Sequence, residues 1–251
     1  MEDSASKQHA MSPNSELLKR ASYASVATAM LLIVAKLVAW LMTGSMSILA
    51  SLVDSLMDSI ASLINLLAIR YSLQPADAEH RFGHGKAEPL AGLSQAAFIL
   101  GSAGFLMLHA VDRLRHPYEL QAPGVGVAVM VFAIVLTLAL LLYQRHVIAQ
   151  TGSTAIRADA LHYYSDLLSN LAIIAALLIA PLGWQWVDPV FAIGIACDIG
   201  YHAAQVGQEA VQQLLDRELP EALQQQILAI AARPSEVQGV HDLRTRQSGQ
   251  V

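Results

Sequence analysis

Six long apolar segments constrain this sequence more than any other feature. A helix needs about 20 mostly apolar residues to cross the hydrocarbon core of a bilayer. Hydrophobic residues make up 55% of the chain and charged residues 14%, whereas a soluble domain carries about 25% charged residues. The sequence therefore predicts an all-α membrane protein with six transmembrane helices. The six segments lie at roughly 18–43, 47–71, 88–111, 123–144, 155–180 and 187–211.

The distribution of Lys and Arg predicts how these spans are oriented. If the N-terminus is cytoplasmic, twelve of the fifteen basic residues lie in cytoplasmic segments, while Arg113 and Arg115 lie outside and Lys36 lies within the first span. Because cytoplasmic loops are enriched in Lys and Arg, we expect both termini to face the cytoplasm. The twelve are Lys7, Lys19, Arg20, Arg70, Arg81, Lys86, Arg145, Arg157, Arg217, Arg233, Arg244 and Arg246.

The chain after the sixth span has a different character. Pro220 suits the first turn of a helix, and the apolar residues that follow predict an amphipathic helix ending near Ala232. Residues 240–244 predict one strand. Because one helix and one strand cannot form a domain core, we expect the opening of a truncated soluble domain. The predicted organisation is a polar tail at 1–16, a six-helix domain at 17–212 and an incomplete C-terminal domain at 213–251.

Two of the predicted spans carry ionisable residues one helical turn apart. Asp54 and Asp58 share a face of the second span, and His162 and Asp166 share a face of the fifth. An acid at the bilayer centre costs roughly 2.5–3.5 kcal/mol on insertion scales. Three carboxylates and one imidazole suit tetrahedral Zn²⁺ and also accept Fe²⁺, Mn²⁺ or Cd²⁺. The lack of thiolates argues against a Cu(I) site, since the chain has one cysteine.

Two other interpretations of these four residues stay open. They could pair with one another and hold the helices together. However, we expect Lys36 to extend its ammonium toward the bilayer surface, which leaves three acids with no nearby cation. The residues could instead form a proton or sodium relay, although the histidine favours a transition metal.

The second and fifth spans also share a weak internal repeat at an offset of 108 residues. The Thr-Gly-Ser sequence at 43–45 recurs at 151–153, Asp58 falls on Asp166, and Asp54 falls on His162. A match of this length can also arise by chance in so apolar a sequence. If the repeat is genuine, the two spans are antiparallel, and inverted repeats commonly place a transporter's binding site near the bilayer midplane.

The predicted cytoplasmic loop after the second span is rich in histidine and glycine. Asp77, His80 and His84 have the spacing of metal ligands. An ordinary solvated loop explains the same spacing equally well.

Together these features resemble the cation diffusion facilitator family, in particular its branch of bacterial zinc and ferrous-iron efflux pumps. The resemblance rests on the paired Asp-x-x-x-Asp and His-x-x-x-Asp, the six spans, and His-Arg-Phe-Gly-His-Gly-Lys at 80–86. It extends from about residue 16 to residue 251. It implies a multi-pass protein of the bacterial inner membrane that carries Zn²⁺, with Cd²⁺ and Fe²⁺ as alternative cargo. It also implies a transport site formed by Asp54, Asp58, His162 and Asp166. It implies a second, cytoplasmic site formed by Asp77, His80 and His84.

The resemblance has further implications for assembly. Family members are homodimers, and Lys86 matches a position that pairs with an aspartate after the sixth span, here Asp216, to lock the dimer at the membrane surface. The family's cytoplasmic domain has a ferredoxin-like α/β fold that holds further zinc. His241 matches one of those zinc ligands, whose partners would lie beyond residue 251.

The predicted function is divalent metal efflux in exchange for protons, through alternating access. Protons compete with metal because the ligands must be an unprotonated imidazole and ionised carboxylates. The sequence has neither a Gly-x-x-x-x-Gly-Lys-Ser/Thr nucleotide motif nor the His-Glu-x-x-His motif of a metalloprotease. We therefore do not expect the protein to be an enzyme. A channel, with ligands spaced along a pore, and a metal sensor remain rival classes.

The sequence has no basic cluster that would predict binding to nucleic acid. We expect Asp198 and His202, one turn apart in the sixth span, to pair with each other.

Overall fold

A computed structural model describes residues 13–115, 124–179, 186–234 and 237–247. Within these ranges the chain forms six long helices and one short helix. The six segments predicted to be long helices are all helical. The helices are α1 (Pro13–Thr43), α2 (Met46–Ser72), α3 (Ala87–Arg115), α4 (Gly124–Thr151), α5 (Thr154–Ile179), α6 (Val187–Leu214) and α7 (Glu221–Ala231).

Five of the long helices are long and apolar enough to cross a membrane: α1, α2, α3, α4 and α6. Helix α5, with 26 residues, is nearly as long as the others. It carries Arg157, Asp159, His162 and Asp166. The chain is therefore a multi-pass membrane protein in which α5 holds a group of ionisable residues.

The two short turns that join α1 to α2 and α4 to α5 have the same structure. Gly44 and Gly152 adopt φ values of +62° and +63°, the left-handed conformation that ends many helices. In each turn the threonine before the glycine donates its hydroxyl to the carbonyl four residues earlier, and that hydroxyl accepts the N–H of the following serine at 3.3 Å. The repeated Thr-Gly-Ser sequence is thus a repeated turn, which makes both helix pairs antiparallel.

Helix α5 lies inside the bundle, packed against α3, α4 and α6 and touching α1 and α2 more lightly. Its first turn is fixed by Glu88 of α3, whose carboxylate accepts hydrogen bonds from the Ser153 side chain and the N–H groups of Thr154 and Ala155. An acid at this position satisfies helix N–H groups that have no partner within the helix. The bundle end that carries this turn and the α2–α3 connection (73–86) is called the loop face, and the other end the opposite face.

The residues after α6 do not form the predicted strand. In the described segment 237–247 the chain has no regular secondary structure. Strand hydrogen bonds need a neighbouring strand, and the described residues supply none. The segment instead lies against the loop face: Thr245 Oγ1 accepts the N–H of Leu219 at 3.0 Å, and the Arg246 guanidinium lies 3.9 Å from the centre of the Phe82 ring. Helix α7 forms as predicted and buries none of its residues.

Candidate metal centres

Three of the four predicted intramembrane ligands meet where α2 faces α5. His162 Nε2 lies 3.0 Å from Asp58 Oδ1 and 3.7 Å from Asp166 Oδ2. One potential ligand atom from each of the three residues lies within 4.8 Å of the others. Asp58, His162 and Asp166 are called the helix cluster.

The helix cluster is buried on one side and open on the other. The His162 side chain is 8% exposed, Asp58 is 22% exposed and Asp166 is 36% exposed. The imidazole therefore forms the floor of the cluster, and the two carboxylates form its rim.

The fourth predicted ligand, Asp54, lies outside the helix cluster. It is exposed and sits one turn from Asp58 along α2, toward the opposite face. Its charge is close enough to interact with those of Asp58 and Lys36. The structure thus groups three ligands and leaves Asp54 beside them, at the open side.

The expectation that Lys36 extends outward, away from the acids, is wrong. Lys36 Nζ donates to Ser55 Oγ at 2.6 Å and to the Ser51 carbonyl at 3.1 Å, so its ammonium points into the bundle beside α2. Its charge also interacts with those of Asp54, Asp58 and Asp166. A snorkelling lysine must reach the bilayer surface, whereas Lys36 finds hydrogen-bond acceptors and carboxylates closer at hand.

The donor set of the helix cluster fits a divalent transition metal. Two carboxylates and one imidazole are three of the four ligands that a tetrahedral Zn²⁺ takes, and the fourth position can be filled by Asp54 or by water. These oxygen and nitrogen donors also accept Fe²⁺ or Cd²⁺. A cation is the natural partner because two carboxylates so close together in a low dielectric repel each other.

A fully buried carboxylate near the helix cluster was missed at the level of sequence. Asp159 lies one turn before His162 on α5 and is 0% exposed. Its carboxylate accepts hydrogen bonds from Ser25 Oγ at 2.5 Å, Gln144 Nε2 at 2.7 Å and Gln95 Nε2 at 3.4 Å. The i, i+3 spacing between Asp159 and His162 was visible in the sequence. The three donors come from three other helices and were not visible there.

The loop residues predicted as a second site also come together. Asp77 Oδ1 lies 3.3 Å from His80 Nδ1, and Asp77 Oδ2 lies 3.4 Å from His84 Nε2. His84 is buried against the ring of Tyr71, with centroids 4.5 Å apart, while Asp77 and His80 are about half exposed. Asp77, His80 and His84 are called the loop cluster. Its donor set also fits Zn²⁺.

Asp77 is held by its own turn. Its Oδ1 accepts the backbone N–H groups of His80 at 2.5 Å and Glu79 at 2.9 Å, the pattern of an Asx turn. The His80 N–H, followed by that of Glu79 and the imidazole of His80, holds the pKa of the Asp77 carboxyl below its usual range. Asp77 is therefore ionised, and able to bind a cation, across the physiological pH range.

The predicted ion pair between Lys86 and Asp216 forms within the single chain. Lys86 Nζ lies 3.0 Å from Asp216 Oδ2 and donates to the Leu214 carbonyl at 3.1 Å. Arg246 adds a second cation 3.7 Å from the same carboxylate oxygen. Asp216 thus connects the start of α3, the end of α6 and segment 237–247 at the loop face.

The remaining predicted residues lie apart from both clusters. His241 belongs to neither; its ring lies beside Gly239 in segment 237–247. Asp198 and His202 lie on α6 with Oδ1 and Nε2 3.6 Å apart, the pairing expected from their spacing.

The chain is similar to known cation-efflux proteins. The family described as cation efflux transmembrane domain matches residues 22–215. The cation-efflux pump FieF of Shewanella oneidensis is 54% identical over 234 residues, which cover 93% of this chain and 79% of that pump. The FieF pumps of Klebsiella pneumoniae and Salmonella arizonae are 54% and 53% identical over 233 residues, covering 93% of this chain and 78% of each pump.

Proposed function

The chain belongs to the cation efflux family, and we propose that it exports Zn²⁺ from the bacterial cytoplasm in exchange for protons. Efflux of divalent metal cations is what the family does. The choice of Zn²⁺ as cargo, with Cd²⁺ and Fe²⁺ as alternatives, rests on the donor set of the helix cluster.

One observation carries this proposal: Asp58, His162 and Asp166 converge between two antiparallel helices inside the membrane domain. Ionisable groups in such a position are expensive and are found where ions or protons move. The cluster is small and partly open, as a site must be that loads and releases its ion. Asp58, His162 and Asp166 lie in one group rather than spaced along a pore, which favours a carrier over a channel.

Proton exchange follows from the chemistry of these ligands. Zn²⁺ binds the neutral imidazole and the ionised carboxylates, so each proton that binds to one of them displaces the metal. A site open to the cytoplasm loads Zn²⁺, and the same site open to a more acidic medium takes up protons and releases it. Charge repulsion between Asp58 and Asp166 disfavours an empty, deprotonated site, which couples the two fluxes.

The proposed topology places the loop face in the cytoplasm, with both termini on that side, and makes α5 the sixth span. The Lys and Arg count supports this orientation. Helix α5 is packed inside the bundle against α3, α4 and α6. Its polar residues then face protein or the site rather than lipid.

The loop cluster is proposed as a second zinc site on the cytoplasmic side. We further propose that the protein is a homodimer and that the Lys86–Asp216 pair, at the loop face beside this cluster, braces the dimer where it leaves the membrane. His241 is a weak candidate for a further zinc ligand, because it lies in neither cluster.

Zinc uptake into vesicles under an imposed pH gradient tests the proposal. The purified chain is reconstituted into liposomes that enclose a zinc-sensitive dye and have an acidic interior, and zinc is then added outside. We expect fast zinc entry that stops when a protonophore dissipates the gradient. Liposomes without protein provide the control.

Two results would contradict the proposal. Zinc entry that is unaffected by the protonophore would indicate a channel or a uniporter. Zinc binding to the protein without any entry would indicate a sensor.

A further inference from the structure

A buried polar network joins five helices on the loop-face side of the helix cluster. Its centre is Asp159, which accepts hydrogen bonds from α1, α3 and α4. Ser25 connects it to α2, because the Ser25 carbonyl accepts the Tyr163 hydroxyl at 2.9 Å, and that hydroxyl lies 3.1 Å from Ser62 Oγ. The members are all buried: Ser25, Ser62, Gln95, Gln144, Asp159 and Tyr163.

The network lies between the helix cluster and the loop face. Asp159 precedes His162 by three residues, or about 4.5 Å of helix rise toward the loop face. Ser62 follows Asp58 by one turn in the same direction along α2. Asn65 continues this line, with Nδ2 3.5 Å from the Ala155 carbonyl.

Burial along α5 changes abruptly at the helix cluster. Every residue from Ala158 to Tyr163 is buried, whereas from Tyr164 to Asn170 every residue except Leu167 is at least partly exposed. Asp54, on the open side of the cluster, is exposed as well. The side chains on the loop-face side of the helix cluster are therefore buried, and those toward the opposite face are partly exposed.

A carboxylate is well suited to hold the helices together on this buried side. Asp159 accepts three hydrogen bonds and needs no cation beside it, and hydrogen bonds to a charged acceptor are about twice as strong as neutral ones. Gln144 Nε2 also donates to Ser25 Oγ at 3.0 Å, which ties two of the donors together. Apolar packing alone would not fix the rotation of α5, whereas directed bonds to three helices do.

We infer that Asp159 is a positioning residue of the transport cycle: its hydrogen bonds to Ser25, Gln95 and Gln144 hold the cytoplasmic end of the metal pathway closed while His162 and Asp166 face the other side. This inference rests on the proposed function, since the loop face is cytoplasmic only in that topology. For the cytoplasm to reach the helix cluster, α5 has to part from α1 or α4, and these bonds break.

The test measures access to each side of the helix cluster with single cysteines. Cys197, the chain's one cysteine, is changed to alanine. One reporter is Asn65→Cys, which is buried on the loop-face side, and the other is Ser51→Cys, which is half-buried one turn beyond Asp54 on the open side. Vesicles of both orientations are labelled with a membrane-impermeant maleimide, and zinc flux of the Asp159-containing parent is recorded in the same preparations.

Asp159→Asn keeps the shape of the side chain but turns one hydrogen-bond acceptor into a donor. We expect labelling of the Asn65→Cys reporter from the cytoplasmic side to become about tenfold faster and labelling of the Ser51→Cys reporter to become slower. A change of this size corresponds to the loss of about one charge-assisted hydrogen bond. We expect zinc affinity at the helix cluster to stay within about twofold of the parent. Turnover falls, because one of the two states of the transport cycle becomes more populated at the expense of the other.

Ser25→Ala provides a second variant that removes only one donor, and Ser22→Ala is its matched control. Both serines are buried on α1 and bond to the carbonyl four residues earlier, but only Ser25 reaches Asp159. We expect Ser25→Ala to shift both reporters in the same directions as Asp159→Asn, and Ser22→Ala to shift neither.

Two outcomes would overturn the inference. Unchanged labelling in both network variants would show that the bonds do not hold the closure, and faster labelling at both reporters would show loosened packing rather than gating. In either case zinc flux by the parent protein would leave the proposed function standing. Absence of zinc flux in the parent would remove the function instead, whatever the labelling shows.

Discussion

The helix cluster presents two carboxylates and one imidazole to a metal ion, and the loop cluster presents one carboxylate and two imidazoles. The first is assembled from two helices that meet only in the folded bundle, with Asp58 separated from His162 by about a hundred residues of sequence. The second is assembled within eight residues, around an Asx turn. A motion of α2 against α5 changes the helix cluster and leaves the loop cluster intact.

The two clusters are therefore suited to different roles, because one can release a metal ion during transport and the other can keep one bound. A transported ion must be released in every cycle, so its ligands have to lie on elements that move relative to one another. A ligand set within one turn keeps its geometry through such a motion, which suits a metal that stays bound. We therefore propose the helix cluster as the site of the transported ion and the loop cluster as the site of a zinc ion that stays bound.

The largest effect is expected when the imidazole of the helix cluster is replaced. His162→Gln removes the central ligand and should reduce zinc transport by about 100-fold or more, as expected for the loss of a strong interaction with a charged group. His202→Gln is the matched control, since His202 also lies one turn from an aspartate within a long helix. Zinc flux in liposomes measures both, and equal losses would contradict the assignment.

A smaller effect on transport is expected in the loop cluster. His84→Ala should lower the number of zinc ions bound per chain by one, as measured by equilibrium dialysis, while transport stays within about tenfold of the parent, the lower range of losses seen when supporting groups are removed. Glu79→Ala, in the same turn, should change neither. If His84→Ala abolished transport and left zinc stoichiometry unchanged, the roles of the two clusters would be reversed.

The pH dependence of zinc binding offers a finer test of the loop cluster. Because the pKa of Asp77 is lowered, its carboxylate stays ionised far below neutrality. Its contribution to folding is present above the ordinary aspartate pKa of about 3.9 and is lost only as the pH falls through the lowered value. Near neutral pH, protons therefore do not compete with zinc at Asp77.

We expect Asp77→Asn to weaken zinc binding at the loop cluster by the same factor at about pH 5 and about pH 7, measured in a protein whose helix cluster is disabled by Asp58→Asn. A loss that becomes smaller toward about pH 5 would mean that Asp77 takes up a proton in this range, which its turn geometry argues against.

The smallest effect is expected at the Lys86–Asp216 pair. Both side chains are 41% exposed, so Lys86→Met should reduce the free energy of unfolding by no more than about 1 kcal/mol, as solvent screens such pairs. Thermal unfolding in detergent measures this. A much larger loss would contradict this expectation, whereas loss of dimers on size exclusion with little change in thermal unfolding would support the proposed role of the pair in bracing the dimer.

The sequence predicted the helices and both clusters for identifiable reasons. Long apolar runs define the six helices, and the i, i+4 spacing places His162 and Asp166 on one face of a helix. The Asp77 turn is local, so its ligand spacing could be read directly from the sequence.

What the sequence did not predict depends on contacts between helices. The direction in which Lys36 points is set by Ser51 and Ser55 on another helix. Asp159 is satisfied by residues 15 to 134 positions away, and no single-sequence pattern reveals such partners. The strand predicted at 240–244 required a neighbouring strand, which the described residues do not contain.

Zinc transport by two matched carboxylate variants tests the central claim most directly. Asp58→Asn and Asp77→Asn each remove one negative charge from one cluster and are assayed side by side under the same pH gradient. The account predicts that Asp58→Asn stops gradient-driven zinc entry and that Asp77→Asn still transports zinc. Transport that survives Asp58→Asn but is lost in Asp77→Asn would contradict it.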